Sequence, residues 1–187
     1  MISYDAYLML CEVARESISQ PWAYVYLTGM WEHVARVGNV GLLSYRLISF
    51  NGDYLKTKFG RSKTKQEGQE SKVERAFFHN PSSPGSNFLA ALAFHVLMSD
   101  RQTVDTPEKL VFGATGVSVK AFEEWLKHVK ICLTEEQLAI LAVPVEDVGL
   151  HGLRKGALTF GSNAIDGPPK AGMEIRACHS QGKLGDT

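Results

Sequence analysis

The chain has 187 residues, 44% of them hydrophobic and 21% charged, which suits one soluble domain with a buried core. Lysine plus arginine (20) equals aspartate plus glutamate (20), so the global basic field of most nucleic-acid binders is excluded and any positive patch must be local. The widely spaced Cys11, Cys132 and Cys178 support neither a zinc ribbon nor a disulfide framework. The longest apolar run, Phe88 to Met98, is too short to span a bilayer. Asp5 and Glu12, with no basic start, argue against a signal peptide, so an intracellular, reducing setting is expected.

Tyr4 to Glu16 has the spacing of a helix, with Leu8, Cys11 and Ala14 recurring on one face. Ser19-Gln20-Pro21 opens a second, proline being tolerated in a first turn. Trp22, Tyr26, Met30 and Val34 continue its apolar stripe, which predicts a helix running to about Arg36, before Gly38. Leu47 to Phe50 reads as a strand, Asn51-Gly52-Asp53 as a tight turn, and Tyr54 to Phe59 as the returning strand with Tyr54, Lys56 and Lys58 on one side. Gly60 to Lys72 is a polar, basic loop, and Ala76 to His79 a third short strand.

Asn80 to Gly85 is a loop by its prolines and serines, and Phe88 to Met98, apolar nearly all round, reads as a buried helix. Asp100 to Glu108 is a linker. Val117 to Val129 is amphipathic, with Phe122, Trp125, Leu126 and Val129 inward. Thr134 caps the next helix, with acids in its first turn. Leu150 to Phe160 is a further helix, and Pro168-Pro169 begins the last, through Met173, Ile175 and Cys178. Trp22, Trp31 and Trp125 are expected in the core, with Met30 and Met98 filling gaps there. Helices, a small antiparallel sheet, then more helices define a single α+β, mainly α domain over 1–187.

Chemistry concentrates near the end of the chain. His151 and Arg154 are three apart and share a helix face, with Leu150, Leu153, Ala157 and Leu158 filling the other side. Arginine matches two phosphate oxygens with its fork, and histidine exchanges protons near neutrality. Alone, the pair describes a solvated helix face more readily than a site.

Its context is more specific. Gly149 to Phe160, GLHGLRKGALTF, resembles the His-x-x-Arg box of tyrosine recombinases and is most similar to the eukaryotic, Crypton-like members. Trp31 to Val40 resembles the segment with the family's first active-site arginine, here Arg36. Ile48 to Leu55 followed by Lys63 to Gly68 resembles the hairpin with the catalytic lysine. Phe78-His79-Asn80-Pro81 is similar to the connection that follows it, and Arg176 to Gly182 resembles the third box, here His179. The resemblance extends along almost the whole chain.

It implies DNA as partner and strand cleavage through a 3′-phosphotyrosine, without metal or other cofactor. Arg36 and Arg154 would clamp the scissile phosphate and stabilise its five-coordinate transition state. Lys63 would protonate the leaving 5′ oxygen, with Lys65 a rival for the role. His151 would assist proton transfer at the nucleophile, and His179 would hydrogen-bond the phosphate. Lys56, Lys58, Arg61, Lys65 and Lys155 would add DNA contacts. The intact family assembles tetramers on DNA, and a eukaryotic source would imply the nucleus.

Four departures stand out, one being Lys65 in place of an acid often found in the lysine loop. Tyr4, Tyr7, Tyr24, Tyr26, Tyr45 and Tyr54 all precede His151, and the nucleophile, counted from His179, would fall just past Thr187. Asn39 stands near the place of an acidic partner common to bacterial and phage members. The N-terminal DNA-clamping domain and the C-terminal tail are expected to be missing, so the chain reads as a truncated catalytic domain, inactive in cleavage. The alternatives are a domesticated DNA-binding module that never cleaves and an unrelated helical interaction domain.

Overall fold

A computed structural model of the chain describes residues 1–59, 74–99, 110–112, 117, 119–164, 167–169 and 172–173. Ser3 accepts a hydrogen bond from the Ala6 amide and caps α1, Tyr4–Glu16, whose buried face is Ala6, Tyr7, Leu10, Cys11 and Ala14. α2, Trp22–Glu32, is buried on every side from Ala23 to Trp31. It packs against α1, the short α3 (Val37–Gly41), α4 (Phe88–Met98), α5 (Val119–Cys132) and α7 (Leu150–Asn163). α2 is thus the axis of the core. The expected continuation to Arg36 is corrected: α2 ends at Glu32, and the unforeseen α3 follows.

β1, Ile48–Asn51, β2, Tyr54–Thr57, and β3, Arg75–Phe78, form an antiparallel sheet in the order β1-β2-β3. Gly52, with φ of 64°, makes the turn between the first two, where a left-handed residue is required. Tyr54 pairs with Phe78 and Leu55 with Phe77; Leu55 and Phe77 are buried toward the helices. The other sheet face carries Tyr54, Lys56 and Phe78, as the alternation along a strand requires.

Asn87 caps α4 by accepting from the Ala90 amide, while a Glu32 carboxylate oxygen takes the Phe88 amide at 2.7 Å and so ties α4 to the end of α2. α4 is not buried all round as its composition suggested. Phe88, Ala91, Leu92 and His95 face the core, whereas Val96, Leu97 and Met98 are exposed. Met98 is therefore no core gap-filler; Met30 is. Trp31 and Trp125 are buried and Trp22 half-buried.

α5 buries Phe122, Trp125, Leu126 and Val129, as its spacing predicts. Thr134 and Gln137 form a reciprocal capping box at the start of α6, Glu135–Leu141. The architecture is mainly α with one small antiparallel sheet, the expected α+β class. Among the described residues, no helix is long and apolar enough to cross a membrane.

Candidate functional site

The chain leaves α2 by an unusual route. The Val34 amide donates to the Trp31 carbonyl and the Ala35 amide to the Met30 carbonyl, each at 3.0 Å. Those two bonds are a Schellman ending, which places one residue in the left-handed region. Glycine usually takes that place; here it is Val34, φ 51°, buried and β-branched. A β-branched residue there is a genuine outlier, costing about 1–2 kcal/mol.

His33, just before it, is fully buried among Phe59, Phe77 and Phe88. Its Nδ1 lies 2.9 Å from the Gly29 carbonyl and its Nε2 2.8 Å from the Thr57 hydroxyl. A carbonyl only accepts, so Nδ1 carries a proton, and in the neutral ring the Thr57 hydroxyl donates to Nε2. Two residues after Val34 comes Arg36, in extended conformation at the N-cap of α3. The Tyr26 hydroxyl donates to the next carbonyl, that of Val37, at 2.7 Å. Gly41 lies directly against the Val117 carbonyl, where no Cβ fits.

α7 supplies the other half. Gly149 is its N-cap and makes no side-chain capping bond, and the positive end of the helix dipole lies at this start, beside Leu150 and His151. Lys130 of α5 donates to the Val148 carbonyl at 3.0 Å and steadies the approach to that end. Gly156 lets α7 sit directly on the Ile2 carbonyl and the Trp31 ring. The buried stripe of α7 is Leu153, Arg154, Gly156 and Ala157. Arg154 is thus on the inward side, 9% exposed, while His151 is exposed. The expectation that Leu150 and Leu158 share the buried side is corrected in part: both are half-buried.

Ala35, Arg36 and Val37 from one side and Leu150, His151 and Arg154 from the other line a cleft of about 390 Å³. The fold therefore brings together three of the expected site residues, Arg36, His151 and Arg154. Lys63, His179, Arg61 and Lys65 lie outside the described residues. Lys155 is exposed on α7 and is not among the residues lining the cleft. Lys56 and Lys58 lie on β2 and just after it, bound to Glu74 at 3.5 and 3.0 Å. The hydrogen bond from Lys58 and both lysine charges hold the Glu74 carboxyl below its usual range.

No tyrosine is among the residues lining the cleft. Tyr7 and Tyr24 donate to the carbonyls of Ser86 and Gly85, and Tyr26 to that of Val37. Burial pushes the Tyr24 phenol up to about 12 and raises the Tyr7 and Tyr26 phenols as well, so these hydroxyls stay protonated. Among the described residues no group of histidine, cysteine or acidic side chains is arranged to hold a metal. The sequence reading missed His33, Thr57, Tyr26 and Lys130. His33 lies inside the segment read for Arg36 and the others outside any motif, and each is revealed only by its partner in the fold: Thr57 for His33, the Val37 carbonyl for Tyr26 and the Val148 carbonyl for Lys130.

This arrangement, mainly helical with one small three-stranded antiparallel sheet, matches the fold of an integrase catalytic core. The solved structure that shows it is that of the lambda integrase catalytic core. The two are similar with a TM-score of 0.57 over 100% of this chain and 95% of that chain, at 13% sequence identity. At that identity the likeness is one of fold. No protein-family model matches the chain, and no curated protein matches it in sequence.

Proposed function

We propose that this chain is a tyrosine-recombinase-type catalytic domain that holds a phosphate of duplex DNA between Arg36 and Arg154. The observation that carries the reading is the meeting of Arg36, His151 and Arg154 in one cleft from distant parts of the chain. Two guanidinium groups supply the paired, forked donors that a phosphodiester takes. The uncapped start of α7 adds favourable dipole at the same place.

In the reaction assigned to the complete site, a tyrosine hydroxyl attacks the phosphorus and loses its proton with help from His151. The bond to the 5′ oxygen breaks, that oxygen takes a proton from Lys63, and a 3′-phosphotyrosine remains. Arg36, Arg154 and His179 stabilise the charge gathered on the non-bridging oxygens. The tyrosines of these 187 residues precede the box, and those with assigned hydroxyl partners are engaged in the fold. The reading therefore assigns phosphate binding to the cleft residues, and cleavage only to a protein that brings a tyrosine hydroxyl into the cleft. The absence of a tyrosine from the cleft lining equally favours a second reading, a non-cleaving DNA-binding module with the same cleft.

A nicked duplex that traps covalent intermediates tests both readings, used with this chain and with the chain extended to its next tyrosine. The first predicts a covalent adduct with the extended chain, abolished by replacing Arg154. DNA binding with no adduct from either protein supports the second. Lack of DNA affinity in both overturns the two together.

A further inference from the structure

We propose that His33 is a positioning residue, which, held by Thr57 and followed by left-handed Val34, sets Arg36 opposite Arg154; this rests on the phosphate-binding reading of the cleft. The α2 exit is constrained from both sides. On one side the Schellman bonds fix Val34 and Ala35 to Trp31 and Met30. On the other, His33 is bound at both ring nitrogens, to Gly29 of its own helix and to Thr57 of β2.

A valine in the left-handed region persists only where its surroundings over-determine it. Here they do: Val34 is 2% exposed, His33 and Thr57 are fully buried, and three phenylalanine rings enclose the imidazole. Without the Thr57 bond, the valine's preference for negative φ acts to turn the chain out of this exit. Arg36 is two residues away, and its direction into the cleft is set by that exit. The same bond reaches the last residue of β2, beyond which the chain runs on to Lys63. One buried hydrogen bond therefore spans the elements that carry Arg36 and lead to the expected general acid.

The test replaces Thr57 rather than His33, whose ring also fills the core. Thr57→Val keeps the shape and removes the hydroxyl; Thr57→Ser restores it. Amide hydrogen exchange and the Arg36 Nε–H resonance report the exit directly, with no DNA present. The expected result is exchange about tenfold faster at Val34 and Ala35 and a shifted Arg36 resonance in Thr57→Val, with α1 protection unchanged and both effects reversed in Thr57→Ser.

Duplex DNA affinity should fall several-fold in Thr57→Val and be rescued by Thr57→Ser. In an Arg36→Ala background Thr57→Val should cost nothing further, because it acts through Arg36. Unchanged exchange and resonance in Thr57→Val overturn the proposal, as does a loss of affinity that adds to that of Arg36→Ala. If wild type binds no DNA, or Arg36→Ala binds as well as wild type, the functional reading fails, and exchange with the Arg36 resonance alone decides the positioning role.

Discussion

Arg36 and Arg154 line one cleft, the first from the N-cap of α3 and the second from the buried stripe of α7. Neither helix alone creates the pair. It depends on α7 lying close to the end of α2, and that approach is possible because Gly156 leaves room for the Ile2 carbonyl and the Trp31 ring.

Gly156→Ala should therefore destabilise the protein, although alanine is the better helix former. The propensity gain is about 1 kcal/mol, while a methyl forced against backbone and an indole costs about 1–3 kcal/mol. A lower urea midpoint at unchanged slope is the expected outcome, together with weaker DNA binding as α7 shifts. Gly38→Ala, where an added Cβ meets only Val119 at 3.9 Å, is the control that should not lower the midpoint.

Glu74 pairs with both Lys56 and Lys58, offsetting one of the two positive charges that the resemblance gives to DNA. Glu74→Gln should raise the local positive charge, tighten duplex binding and steepen its salt dependence. Equal affinity and equal slope would remove Lys56 and Lys58 from the interface. The carboxylate is exposed, so little change in folding stability is expected.

His95 predicts an acid-side loss of stability. Burial lowers its pKa from 6.5, opposed by the hydrogen bond to Val111, whose carbonyl lies 2.8 Å from Nε2. The unfolded chain takes up a proton near 6.5 while the folded one resists, so the unfolded state binds more protons in that window. The stabilisation is complete above 6.5 and is lost as pH falls from 6.5 through the lower folded value. Denaturation midpoints across that range should fall in wild type and flatten in His95→Gln; parallel profiles would contradict the assignment.

Much of the fold was legible in the sequence because local signals and burial agreed. The apolar faces of α1 and α5, the Gly52 turn and the Thr134 capping box each have a short-range cause. The end of α2 was not legible. Val34 continues the stripe of Trp22, Tyr26 and Met30, and the glycine that normally marks a left-handed helix end is absent. The helix α3, with glycines at both Gly38 and Gly41, has poor intrinsic propensity and is tied to α2 by the Tyr26 hydroxyl instead. The outer side of α4 misled for the opposite reason, since Val96, Leu97 and Met98 are apolar yet exposed. At the site, the motif spacing identified Arg154 but not its burial, which depends on how α7 meets α2.

The most direct test of the account is duplex DNA affinity measured against salt concentration for Arg36→Gln, Arg154→Gln and the double variant, each confirmed to be folded. If both guanidinium groups hold phosphate, each single change lowers the slope of log affinity against log salt by about one, and the double change by about two. Slopes equal to that of wild type in all three folded variants would contradict the central claim.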